Sequence, residues 1–145
     1  MSTASGTERH RAREAALQML YQWEVGRASA QEAVVTYWPA RESEQPVADE
    51  TRTFANALMR GTIERVKDAD ELIAAHARNW RVERMAIIDR LVLRLAIYEL
   101  LTEPDTPAKV IINEALELAR TFSGEEPVPF INGILDAVRK TLDRE

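Results

Sequence analysis

Two histidines, no cysteine and one tight cluster of arginines bound the chemistry open to this chain. His10 and His76 are the only imidazoles, so a histidine-based acid–base machine has little to draw on. The nucleophile-elbow, phosphate-loop, dinucleotide and zinc-protease patterns are all missing. Without cysteine there is no thiol nucleophile, zinc ribbon or disulfide framework. His76 falls on an apolar helical stripe and reads as a packed or edge histidine rather than a ligand. The acidic groups Asp68, Asp70 and Glu71, and Glu125 with Glu126, lack metal-loop spacing and read as solvated faces. No enzyme, metal or cofactor is expected from these residues.

The arginine cluster is the better candidate. Arg9 and Arg13 lie one helical turn apart and share a face, with His10 beside them; Arg11 points away. Cations at a helix N-terminus oppose the macrodipole by about 0.3–1 kcal/mol each. Continued backward, the helix also aligns Arg9 and Arg13 with the apolar face of Leu17 and Leu20. Charges there must leave the core edge and meet something else, although Glu8 and Glu14 offset part of them. The alternatives are a nucleic-acid backbone or a frayed basic arm without a ligand. Neutralising about three phosphates of a single strand gives a salt slope near −2. That footprint is weak for a chain of net charge −5, so useful affinity needs base stacking, hydrogen bonding or a second protein. Phe130, after a proline-rich loop, is a candidate stacking side chain; otherwise it is a core or staple residue.

The elements that position these residues are helical. At 145 residues, 46% hydrophobic and 30% charged, one ordinary globular domain is expected. No apolar run approaches a membrane span, and no secretory h-region is evident. Residues 1–7 are expected to be disordered. A first helix is predicted over residues 8–25, stopped by Gly26. The capping box Ser29-Ala30-Gln31-Glu32 starts a short helix carrying Val34, Tyr37 and Trp38 inward, ended by Pro39. Residues 40–48 read as a loop. A helix from about residue 49 carries Phe54, Leu58, Thr62 and Val66, and another starts near Asp68 with Leu72, Ile73, His76 and Trp80 in a stripe. Residues 81–84 read as a break. The next helix, 85–101, is apolar on nearly all sides and is expected at the centre of a bundle. Thr106 then serves as N-cap with Pro107 at the first helical position. The following helix sets Ile111, Ala115, Leu118 and Phe122 on one face and ends at Gly124. A last helix from Phe130 to about Leu142 contains Asn132-Gly133, rejected as a hairpin because its flanks have helical spacing. Gly133 inside that helix is expected to serve packing. The fold class is therefore all-α, with about seven helices.

Several segments carry a resemblance. They are Arg11-Ala12-Arg13-Glu14 with Gln18-Met19-Leu20-Tyr21, residues 54–61, residues 89–99 (DRLVLRLAIYE), residues 112–119 (INEALELA) and residues 130–136 (FINGILD). Each alone is weak; their order, spacing and joint coverage resemble the NusB family of bacterial transcription antitermination factors over nearly the whole chain. The resemblance implies two small helical bundles packed together, no catalysis and no cofactor. It implies binding to boxA, a single-stranded leader RNA element of ribosomal operons, and the absence of cysteine suits the reducing cytoplasm expected for this protein. It also implies pairing with NusE, a small-subunit ribosomal protein, and entry into the RNA polymerase antitermination complex. Carried onto this sequence, the RNA-facing residues are Arg9, His10, Arg11, Arg13 and Tyr21, with Glu126 and Phe130 at the start of the last helix. The NusE-facing candidates are Glu83, Asp89 and Arg90. Two positions depart from the pattern: His10 stands where arginine is common, and Pro129 where lysine or another polar residue is frequent.

Two other readings compete. One is an RNA-positioning domain like that of ribosomal-RNA cytosine methyltransferases, though no glycine-rich cofactor site follows here. The other is a helical module that binds only proteins. A homodimer that buries the arginine arm is a further expectation open to test.

Overall fold

The computed structural model describes residues 6–41, 46–78 and 81–145. Among these residues every regular element is helical, and they form two compact units, one ending at Ile63 and one running from Glu64 to Glu145. No described helix is long and apolar enough to cross a membrane. The expected residues 42–45 of the long loop, Trp80 and residues 1–5 lie outside the described residues.

The first unit contains α1 (Gly6–Glu24), α2 (Ala30–Arg41) and α3 (Asp49–Glu64). α1 starts two residues earlier than the periodicity predicts and buries Ala12, Ala16, Leu17 and Leu20. It stops where expected, but the left-handed residue is Arg27, at φ 56°, rather than Gly26. Gly26 is needed for another reason: a Cβ there would sit 2.8 Å from the Gln22 carbonyl oxygen. The capping box forms as read. The Glu32 amide donates to Ser29 Oγ at 3.1 Å, and the Ser29 amide donates to Glu32 Oε1 at 2.8 Å. The Ser29 amide, and after it the Ser29 hydroxyl, hold the Glu32 carboxyl below its ordinary range. Pro39 does not end α2, which continues to Arg41. Proline leaves the carbonyl four residues back without its helical partner, and that residue, Val35, is exposed to water. The Trp38 indole N–H donates to Asn56 Oδ1 at 2.9 Å and ties α2 to α3.

The second unit contains α4 (Val66–His76), one 3-10 turn (Val82–Arg84), α5 (Ile87–Thr102), α6 (Ala108–Phe122) and α7 (Val128–Thr141). α5 packs on α4, α6 and α7. Its residues 91–97 are all buried, which is the consequence of being apolar on nearly every side. Two polar side chains are buried with them, Arg94 and Glu99. Arg94 is held bidentately by Asp70 of α4, with Nε to Oδ1 and Nη2 to Oδ2 both at 2.8 Å. His76 is an edge residue, its Nε2 3.0 Å from Thr141 Oγ1. Pro107 rather than Thr106 takes the N-cap position of α6, because the Pro107 carbonyl accepts the first helical bonds from Val110 and Ile111. Gly124 stops α6 at φ 123°, its amide donating to the Ala119 carbonyl at 2.8 Å.

Two expectations about α7 are corrected. The helix starts at Val128, so Pro129 sits in the first turn rather than in the loop, where its missing N–H costs no helical bond. Gly133 is exposed, and a Cβ built on it meets nothing within 4 Å among the described residues, so it does not serve packing there. Beyond α7, the Arg144 guanidinium donates to the carbonyls of Leu100, Glu103 (3.1 Å) and Thr106 (2.6 Å), clasping the α5–α6 connection.

Candidate nucleic-acid interface

The arginines of α1 do not form one patch. The helix that places Arg9 and Arg13 on one face also places both over Phe54 of α3, with guanidinium carbons 3.9 and 5.9 Å from the ring centroid. The charges predicted to leave the core edge have met an aromatic face instead. Arg13 is only 3% exposed, so its side chain belongs to the interior of the first unit. Arg9 is half-buried and keeps an edge toward solvent. His10 lies beside them, its Nε2 3.3 Å from Glu14 Oε2, an ion pair only when the ring is protonated.

Arg11 points away from that face, as the spacing requires. It lines a cavity of about 220 Å³ together with Glu14, Gln18, Tyr37, Trp38 and Arg41. One of its nitrogens lies 3.4 Å from the Pro46 carbonyl oxygen. Arg41 stacks on Tyr37 at 3.9 Å from the centroid, and Tyr37 meets Trp38 edge-on at 4.8 Å. Burial pushes the Tyr37 phenol upward, opposed by the neighbouring Arg41 charge. Tyr21, further along α1, is exposed.

In the second unit three of the remaining candidates converge. Asp89 from the first turn of α5 shares one groove of about 510 Å³ with Glu126 and Phe130 at the start of α7. Met85, Ala86, Ser123 and Pro127 complete it. The sequence reading had assigned Asp89 to a protein surface and Phe130 to an RNA surface; a single groove holds both. Among the described residues its lining carries two carboxylates and no cation, so it does not suit a phosphate group. Asp89 Oδ1 is buried without a hydrogen-bond partner among the described residues. Arg90 is half-buried and turns back, donating to the Val82 carbonyl at 3.4 Å. Glu83 stays exposed on the 3-10 turn. No group of three or more metal-ligating side chains occurs among the described residues.

Spacing alone puts Phe54 on the inner face of its helix and does not disclose its place under Arg9 and Arg13, nor that Gln18, Tyr37 and Arg41 form one wall. A signal existed for these. Arg11, Glu14 and Gln18 share a helical face, and Tyr37 and Arg41 are four apart.

Comparison with known proteins adds to this geometry. The model of the NusB family matches residues 10–140. The transcription antitermination protein NusB of Koribacter versatilis is 46% identical, over 100% of this chain and 97% of the relative. The solved T. maritima NusB is 34% identical with a TM-score of 0.78, covering 97% of this chain and 93% of that one. A solved complex of antitermination factors NusB and NusE with double-stranded RNA has the same fold. Its TM-score is 0.80 at 21% identity, over 93% and 98% of the two chains.

Proposed function

The chain belongs to the NusB family, and on that premise we propose that it is a transcription antitermination factor that binds boxA leader RNA together with NusE. It acts in the cytoplasm within the RNA polymerase antitermination complex and carries no catalytic step. The observation that carries this reading is the family match itself, which spans His10, Arg11 and Arg13 of α1 and the start of α7. The solved complex of a similarly folded protein with NusE and RNA supports the partnership.

The charge arrangement gives the reading its physical form. With Arg13 interior and Arg9 stacked on Phe54, Arg11 and the outer edge of Arg9 are the cations of this cluster that meet phosphate. Fewer contacts mean a smaller electrostatic contribution than the composition of the arm promises. Intrinsic RNA affinity is therefore low, and NusE supplies the rest of the RNA surface. Tyr21 is exposed for contact on the same helix. Phe130 offers a stacking face in a groove whose carboxylates, Asp89 and Glu126, accept from amino groups or cations rather than bind phosphate. Glu83, Asp89 and Arg90 face the protein partner.

Fluorescence anisotropy tests the proposal. A labelled boxA RNA should bind more tightly with NusE present than without, and more tightly than a scrambled RNA. Equal affinity for the two RNAs in the presence of NusE would overturn it.

A further inference from the structure

Two arginines of the first unit, Arg11 of α1 and Arg41 of α2, line one cavity of about 220 Å³ and stand outside the ion pairs of the fold. Arg65, Arg94, Arg120 and Arg139 each meet a carboxylate at 2.6–2.8 Å. Neither Arg11 nor Arg41 meets one among the described residues. Arg11 keeps the single 3.4 Å bond to the Pro46 carbonyl, and Arg41 lies 3.9 Å over the centroid of Tyr37. The last turn of α2 favours a cation such as Arg41, but that does not account for its stack beside a second guanidinium. Trp38, fixed by its bond to Asn56 at 2.9 Å, forms another wall. The third charge in the lining is Glu14.

The volume falls below the roughly 300–1,000 Å³ of pockets for drug-sized ligands, so the cavity takes a group of a few atoms. Charge narrows the choice. Burial raises the Tyr37 phenol, which stays neutral at pH 7. With the His10 ring beside Glu14 neutral, two guanidinium groups and one carboxylate leave an excess of one positive charge. A phosphodiester carries one negative charge, whereas a phosphomonoester carries about −1.5 to −2. Geometry separates the diester from a carboxylate. A carboxylate is planar and one guanidinium fork satisfies it, as Arg94 holds Asp70. A diester directs its two free oxygens apart, one toward each arginine. We infer that the cavity binds one backbone phosphodiester of an RNA strand between Arg11 and Arg41, which makes Arg41 of α2 an RNA-contacting residue outside the α1 cluster. The inference rests on the RNA-binding function proposed above, which Arg11 shares with it.

Salt titrations of labelled boxA RNA in the presence of NusE test it, and the charge count makes the variants non-additive. Losing either arginine cancels the excess against Glu14. Arg11→Ala, Arg41→Ala and the double variant should therefore each lower the slope of log K against log salt by about 0.7, the value for one phosphate. Arg41→Ala combined with Glu14→Gln restores the excess and should return the slope toward wild type, and Arg41→Lys should keep it. A double-variant loss of about 1.4 marks two separate phosphates and overturns the shared site. A lower urea midpoint for Arg41→Ala with an unchanged slope marks a structural arginine and also overturns it. A neutral methylphosphonate walked along boxA should find one linkage whose replacement weakens binding to the wild type but not to Arg41→Ala; the absence of such a linkage defeats the inference. So does weaker binding of Arg41→Ala to NusE without RNA, which assigns the cavity to an acidic group of the protein. An Arg41 Nε resonance that moves with inorganic phosphate and not with boxA marks a free-anion site and has the same consequence. Wild-type RNA binding that Arg41→Ala leaves intact defeats this inference alone; no boxA binding by the wild type defeats the function proposed above and this inference with it.

Discussion

Arg11 and Arg13 are near neighbours on α1, yet alanine at each is expected to do opposite things. Arg13 is 3% exposed, and its guanidinium lies 5.9 Å from the Phe54 centroid. A desolvated cation–π contact is worth about 2 kcal/mol, and the buried stem adds packing. Arg13→Ala should therefore lower the stability of the protein by about 2 kcal/mol in urea denaturation. The salt slope of RNA binding should not change, because no phosphate contact is lost. Arg11 keeps one long bond to the Pro46 carbonyl, at 3.4 Å, and Arg11→Ala should stay within about 0.5 kcal/mol of wild type. Its effect falls on RNA: the slope of log K against log salt should shrink by about 0.7. The affinity gap between wild type and Arg11→Ala then narrows about threefold over a fivefold rise in salt. Anisotropy titrations at several salt concentrations, beside urea curves for both variants, give the answer. If Arg13→Ala lowers the salt slope and leaves the urea midpoint in place, the assignment of Arg13 to the interior is wrong.

Three other outcomes follow from the packing. Arg94→Ala leaves Asp70 facing a half-buried vacancy and should cost about 3–5 kcal/mol in urea denaturation, whereas Arg94→Met with Asp70→Leu should recover most of that loss. Gly133→Ala should raise thermal stability by up to about 1 kcal/mol, since the added Cβ meets nothing; a loss would show that the position is closely approached. Asp136 is held below its ordinary value of 3.8, first by its hydrogen bond from Arg139 and then by that from Lys140. A depressed carboxyl stabilises the folded state above its unfolded pKa, and the contribution fades as pH falls through the lower folded pKa. Asp136→Asn should thus lose a small increment at neutral pH and flatten the acid limb below about pH 4, read by pH-dependent thermal melts. The carboxylate is well exposed, and solvent screening keeps the effect slight.

What the sequence revealed and what it withheld divide along a physical line. Helix existence was legible wherever apolar residues recur at helical spacing, as in α1, α6 and α7, and the Ser29–Glu32 capping box was legible because all its parts are local. The central place of α5 followed from its composition alone. Interactions between distant residues were not legible. Nothing near Arg94 announces Asp70, which lies 24 positions away, and nothing in α1 announces Phe54. The candidate residues were therefore named correctly as chain positions but grouped by sequence neighbourhood, so Asp89 was separated from Phe130. Proline and glycine misled in a consistent way. Pro39 and Pro107 were each read as helix punctuation at one particular position, and Pro129 as loop, while a helix end tolerates them over a turn. Gly133 was read as a packing device although it faces water.

The contacts of the second unit also set an order of events during synthesis. His76 of α4 meets Thr141 of α7 across 65 positions, and Arg144 reaches back 38 to 44 positions to the α5–α6 connection. At roughly 5–20 residues per second, α7 reaches the chain about 3–13 s after α4 has left the peptidyl-transferase centre. Over that interval α5 has no α7 to cover it, and its largely apolar circumference is a surface for holdase chaperones or for aggregation. The burial that makes α5 the centre of the finished unit makes it the most exposed liability of the nascent one.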